Sequence, residues 1–236
     1  AAMILLGPVG TEDAARQLSA LGTSAAIVLA GGYGETGPAG VKRQAALSEA
    51  AGKMRVLGPN TIGLLNLRDR ITLSASGALD TEHLTAGSIG VISQSGGILG
   101  SLLSRAAAKG IGLSHLVATG NEGDLEVCDI LEWMIGEDDT SGITLYLEGL
   151  HDTKRFAKLS KLANRAGKNL IVYKVGKSEA GALASASHTG AMAGDDRLYD
   201  ALFAQNGVVR AERFDDLLDI AMALSMGKTP KGRRVG

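Results

Sequence analysis

The sequence predicts an α/β protein, with a βαβαβ piece followed by a doubly wound parallel sheet. Short apolar runs recur along the whole chain, and amphipathic stretches of helical length separate them. Glycine, at 33 of 236 residues against four prolines, gathers at the junctions, where tight strand-to-helix turns need it. Met3 to Leu6, Ala25 to Ala30 and Met54 to Leu57 read as buried strands, with helices over 11–21 and 39–51 between them. From Arg68 to Ala86 the pattern weakens around Gly77, which predicts a crossing between two domains. A second alternation follows: strand 89–93, helix 96–109, strand 113–118, helix 126–136, strand 142–147, helix 152–166, strand 169–175, helix 194–205, strand 207–209 and helix 213–226. Five strands with a helix between each pair imply parallel pairing.

Composition narrows the function classes. The chain is 45% hydrophobic and 21% charged with a formal net charge of -1, which suits a soluble globular protein and argues against a nucleic-acid partner. Cys128 is the single cysteine, so no disulfide framework or thiolate metal site is expected, as in the reducing cytoplasm. No apolar run reaches membrane-spanning length, and no basic n-region opens the chain. A membrane partner is therefore not expected.

In a doubly wound sheet, ligands bind at the carboxyl ends of the strands. Three stretches fall there and can converge on one crevice: SQSGG at 93–97, YLEG at 146–149, and KVGKSEAGALASASHTG at 174–190. The first follows a strand and opens a helix with Ser95, Gly96 and Gly97, whose free N–H groups and dipole can bind phosphate without a basic side chain. The alternative is that Ser95 is only an N-cap and the glycines a packing turn. Glu148 ends a strand, where a carboxylate could hold one nitrogen of an imidazole; a solvated strand-end charge is equally compatible. His188 lies in an unusually long connection over 176–193 among small residues, which leave a nucleophilic imidazole room to meet an anion. A histidine in an exposed linker would read the same way.

Taken together, GSIGVISQSGGILGSLL, the glutamate of YLEG, SASHTGAMAGDDRLYDALFAQNGVVRA and RVLGPNTIGLLN resemble the NDP-forming acyl-CoA synthetases. That superfamily includes the alpha subunit of succinyl-CoA synthetase and the ADP-forming acetyl-CoA synthetases. The resemblance implies a partial Rossmann-like CoA-binding domain over 1–77 and a flavodoxin-like, succinyl-CoA synthetase-like domain over 84–228, with a linker over 229–236. It assigns His188 as a phosphohistidine, Glu148 as the residue that steadies the imidazole, and Ser95, Gly96 and Gly97 as the phosphate cradle. GPNTIG resembles the coenzyme A-binding stretch, with Asn60 and Thr61 nearest the thiol. The implied ligands are CoA, phosphate and a carboxylic acid, with a Mg-nucleotide on an ATP-grasp domain or subunit outside this chain, in an oligomer. Gly181, Gly190 and Gly194 would then let the histidine loop carry phosphate to a distant nucleotide. The rival reading is a non-catalytic CoA-sensing region of a fused protein acetyltransferase, against which a nucleophilic histidine argues.

Other motifs carry less. GGYGETG matches a dinucleotide fingerprint as a string, but MRVL leads into GPN and not into an acidic residue placed for a ribose. Gly176-Lys177-Ser178 and Gly227-Lys228-Thr229 lack the first glycine of a P-loop, which Ile171 and Met222 replace. His83, His115 and His151 have no ligand-spaced neighbours, so surface or capping roles are expected and no metal site is assigned. Glu122, Asp124 and Glu126 fit the dipole of the helix that follows, with a metal as the alternative. Trp133 and Met134 follow helical spacing and are expected in the core.

Overall fold

A computed structural model describes residues 1–80, 84–176, 196–226 and 232. Ala2–Ile4 (β1), Ala25–Val28 (β2) and Arg55–Leu57 (β3) form a parallel sheet in that order. Pro8–Ala20 (α1) and Pro38–Ala51 (α2) connect them. Both helices open on a proline, whose fixed φ suits a first turn and whose missing N–H costs nothing there. Ile4, Val28, Val56, Leu47 and Tyr33 close the core beneath them. Gly40 is where α2 meets the preceding turn: a Cβ there would lie 1.7 Å from the Tyr33 carbonyl oxygen, so no larger residue permits that packing.

The second sheet has seven strands: Gly63–Asn66 (β4), Ile71–Ser74 (β5), Ala86–Ser93 (β6), Leu113–Ala118 (β7), Gly142–Leu147 (β8), Asn169–Lys174 (β9) and Val209–Arg210 (β10). Their order is β10-β9-β8-β6-β7-β4-β5, in which β6 to β10 pair in parallel. The described helices are Gly96–Ala108 (α3), Val127–Gly136 (α4), Thr153–Arg165 (α5), Asp196–Gln205 (α6) and Asp216–Met226 (α7). They cover both faces. Leu170 and Val172 pack with Leu131, Phe156 and Phe203 of α4, α5 and α6, whereas Ile171 between them packs with Leu102 and Leu217 of α3 and α7. Strands buried on both faces are largely apolar, which explains their short apolar runs, and polar residues buried among them, such as Ser114 and Thr144, are hydrogen-bonded. Each fully buried leucine contributes about 2 kcal/mol.

Three expectations change. The stretch from Arg68 is no simple crossing, because β4 and β5 form an antiparallel hairpin on the edge of the larger sheet, with β4 also antiparallel to β7. Its turn is set locally: Asn66 Oδ1 accepts from the N–H groups of Arg68 and Asp69, both at 3.0 Å, and Arg70 takes φ 57°. The chain therefore changes sheets between Leu57 and Gly63. His115, expected in a surface or capping role, is buried in β7, with its ring edge-on to Trp133 at 4.8 Å. Burial pushes its pKa down. Trp133, expected in the core, is 44% exposed, while Met134 is fully buried. The face of α4 that meets the sheet includes Met134, and Trp133 lies at its margin.

Candidate active site

The carboxyl ends of β6 and β8 are adjacent because Ser93 pairs with Tyr146 in the ladder. Ser93 is buried, and its hydroxyl accepts from the Ser95 N–H at 3.2 Å and donates to the Ser95 carbonyl at 2.7 Å. This turns the chain sharply into α3. Ser95 occupies the N-cap position in an extended conformation, yet its side chain makes no capping hydrogen bond. Gly96 is tightly packed, for a Cβ there would stand 2.8 Å from Ile62 Cγ2. Gly97 is the opposite case, since a Cβ would meet nothing within 4 Å. The first turn of α3 is thus packed on its Gly96 side and open beside Gly97, and a helix start with room beside it can hold an anion.

Glu148 follows β8 and is partly buried. Gln94, a residue that the sequence reading passed over, binds its backbone: Gln94 Oε1 accepts from the N–H groups of Glu148 (2.6 Å) and Gly149 (3.1 Å). Gln94 Nε2 donates to the Gly149 carbonyl at 2.9 Å. The next N–H, of Leu150, donates to the Tyr199 hydroxyl of α6 at 3.2 Å. Lys174 was also missed. It pairs with Leu147 at the end of β9 and is buried, with Nζ 4.8 Å above the Tyr199 ring and donating to the Val175 carbonyl at 2.5 Å. Burial lowers its pKa, partly opposed by the charges of Asp196 and Glu148. A single lysine closing an apolar run carries no sequence signal of such burial.

The facing wall comes from the segment that joins the two sheets. Asn60 is exposed and takes φ 60°; its Nδ2 donates to Asn121 Oδ1 at 3.1 Å. Thr61 is buried, and its hydroxyl donates to the Ala118 carbonyl (2.6 Å) while accepting from the Gly63 N–H (3.0 Å). Asn121 in turn donates to the Glu35 carboxylate and, from its own N–H, to the Pro59 carbonyl at 2.9 Å. Burial opposes the charge on Glu35, but hydrogen bonds from Asn121, Gly32 and Tyr33 outweigh it and hold the carboxyl below its usual pKa.

Between these walls lies a cleft of about 300 Å³ that Asn60, Thr61, Ser95, Gly96, Gly97 and Glu148 all line, together with Gln94 and Asn121. His188 falls in 177–195, outside the described residues, as do Gly181, Gly190 and Gly194. The acidic loop is committed elsewhere. Glu122 accepts from Thr119 Oγ1 (2.9 Å) and the Val127 N–H (3.1 Å) and pairs with His151 Nε2 at 3.2 Å. Asp124 accepts from the Val56 N–H and from Arg55, and Glu126 forms a capping box with Asp129. Among the described residues, no group of His, Cys, Asp and Glu could hold a metal, and no helix is long and apolar enough to cross a membrane.

A parallel sheet in this order, a glycine-rich helix start and a strand-end glutamate in one cleft can now be set against known proteins. Residues 86–224 match the family model described as the succinyl-CoA ligase like flavodoxin domain. The chain belongs to this family. Within it, the chain is 38% identical over 216 residues to the acetate–CoA ligase [ADP-forming] I subunit alpha of Pyrococcus furiosus, an alignment covering 91% of this chain and 46% of that one. It is 35% identical over 207 residues to the 4-hydroxybutyrate–CoA ligase [ADP-forming] of Nitrosopumilus maritimus, covering 86% and 29%. Its structure resembles the dinucleotide forming acetyl-coenzyme A synthetase 1 of Ca. Korarchaeum cryptofilum in complex with phosphate and ADP, with a TM-score of 0.89, 30% identity and coverage of 98% and 49%. The chain thus spans half or less of the length of these succinyl-CoA ligase-like relatives.

Proposed function

We propose that this chain is the CoA-ligase part of an NDP-forming acyl-CoA synthetase, interconverting acyl-CoA, phosphate and NDP with a carboxylic acid, CoA and NTP. The observation that carries the proposal is the single polar cleft in which the Ser95–Gly97 helix start, Glu148 and Asn60 meet. Relatives named as ADP-forming CoA ligases support a ligase over a non-catalytic CoA sensor. In the first step, phosphate attacks the thioester carbonyl and CoA leaves as its thiol, giving an acyl phosphate. A neutral imidazole nitrogen of His188 then attacks phosphorus, the P–O bond to the acyl group breaks, and the carboxylate departs. Finally the phosphoryl group passes from His188 to the nucleoside diphosphate.

Phosphoryl transfer needs positioning and charge stabilisation more than covalent assistance. Gly97 leaves the space, the N–H groups of α3 face the phosphate oxygens, and the helix dipole adds about 0.3–1 kcal/mol for each nearby negative charge. Glu148 accepts from one imidazole nitrogen so that the other is the nucleophile. Asn60, exposed at the cleft, is placed for the thiol end of CoA, while Thr61 shapes that wall through its backbone contacts. Residues 1–77 serve CoA and 84–228 carry the phosphohistidine, in the cytoplasm. An ATP-grasp domain or subunit supplies the Mg-nucleotide in an oligomeric enzyme. Intact-mass spectrometry after incubation with a panel of acyl phosphates tests this reading. An acid-labile gain of one phosphate, lost in His188→Ala, is expected; no gain with any acyl phosphate, or with ATP and the nucleotide-binding partner, overturns it.

A further inference from the structure

We propose that Gln94 is a positioning residue for the phosphoryl step, its amide tying the Glu148–Gly149 turn to the phosphate-binding start of α3. The inference rests on the phosphohistidine reading above. Gln94 immediately precedes Ser95, so whatever it holds is held at a set distance from the helix start. Its own N–H extends the sheet by one residue, donating to the Tyr146 carbonyl at 3.2 Å, which brings the side chain beside the end of β8. There the consecutive N–H groups of Glu148, Gly149 and Leu150 all donate to side chains, the first two to Gln94 Oε1 and the third to Tyr199.

Only a primary amide completes this arrangement. One end accepts from two N–H groups while the other donates to the Gly149 carbonyl, and reversing the amide would set donors against donors. A carboxylate in its place would lose the donor and face the Gly149 carbonyl with negative charge. An alkyl side chain would leave two half-buried N–H groups without their acceptor. The direction in which Glu148 leaves the strand therefore depends on Gln94, and with it the placement of the carboxylate against the imidazole. A shift of about 1 Å in such a group is enough to cost two orders of magnitude in rate.

A double-mutant cycle reads this dependence. Wild type, Gln94→Ala, Glu148→Gln and the double variant are incubated with the acyl phosphate that labels His188 fastest, and the initial rate of phosphate gain is followed by intact mass. Denaturation midpoints are recorded alongside. Gln94→Ala is expected to lower the saturated rate about 10- to 100-fold with the half-saturating acyl phosphate concentration unchanged. In the Glu148→Gln background it is expected to cost no more than about 3-fold, because residues acting as a unit are not additive. A loss in Gln94→Ala below about 2-fold, a change confined to half-saturation, or losses that multiply in the double variant would each overturn the inference while leaving the synthetase reading intact. Should Gln94→Ala not unfold cooperatively, Gln94→Met, which keeps the length of the side chain, replaces it with the same expectations. If the wild type gains no phosphate at His188, the function reading itself fails and this inference falls with it.

Discussion

The two walls of the cleft are built by different means. The wall bearing Ser95–Gly97 and Glu148 comes from neighbouring strands of one sheet, where the β6–β8 register sets the spacing and a single amide ties the ends together. The Asn60–Thr61 wall comes from a segment passing between two sheets. It is held by close backbone approach at Gly120 and by side chains from distant parts of the chain, Glu35 and Asn121 among them. The first wall inherits its precision from hydrogen-bonded strands. The second has no strand ladder behind it and depends on separate side-chain and backbone contacts, so single substitutions should loosen it more readily.

Gly120→Ala is the strongest way to break the second wall. Gly120 takes φ +64°, and an added Cβ would stand 2.4 Å from the Pro59 carbonyl oxygen and 2.7 Å from that of Asn60. Left-handed strain plus the displaced backbone should cost about 3 kcal/mol, measured as a lowered urea midpoint with unchanged m-value. Gly97→Ala makes the opposite probe on the first wall. Nothing within 4 Å opposes the methyl group and alanine favours helix over glycine, so stability should hold or rise slightly. The methyl group occupies the space assigned to phosphate, and the rate of phosphate gain should fall at least about tenfold. Equal losses of stability in both variants would erase the contrast.

The smallest effect concerns the loop behind Asn121. The hydrogen bond to Glu122 raises the pKa of His151, against the pull of burial. A group whose folded pKa is raised adds stability that is complete below its unfolded value, about 6.5, and disappears as pH climbs through the folded value. His151 is 54% exposed, so solvent screening keeps this below about 0.5 kcal/mol. Wild type should therefore exceed His151→Ala in urea midpoint at pH 5.5 by slightly more than at pH 8.5. A difference independent of pH would show that the ion pair contributes nothing.

What could be read from the sequence follows from this same contrast. The parallel strands of the larger sheet were visible because burial on both faces makes them largely apolar, and the start of α3 was visible because serine and paired glycines mark it locally. Gln94 was not, since its role exists only once the ladder sets Ser93 opposite Tyr146. The β4–β5 hairpin was hidden for another reason: its strands are four residues each, partly exposed, and its turn depends on Asn66 rather than on glycine. Trp133 missed its expected place because periodicity shows that a helix has a buried face without locating its edges, and His115 missed its own because a polar residue inside a strand buried on both faces carries no local mark of that burial. For the site, Asn60, Thr61, Ser95, Gly96, Gly97 and Glu148 were singled out by type and local motif, whereas Gln94 and Asn121, which line the same cleft and hold its walls, were not.

The hairpin has a consequence for how such a chain could be recombined. Residues 63–74 follow the small sheet in sequence, yet they complete the edge of the large one. A chimera spliced near residue 77 would import a foreign edge strand and set it against a native β7. One spliced between Leu57 and Gly63 would exchange the small sheet whole and leave the seven-stranded sheet with its own border.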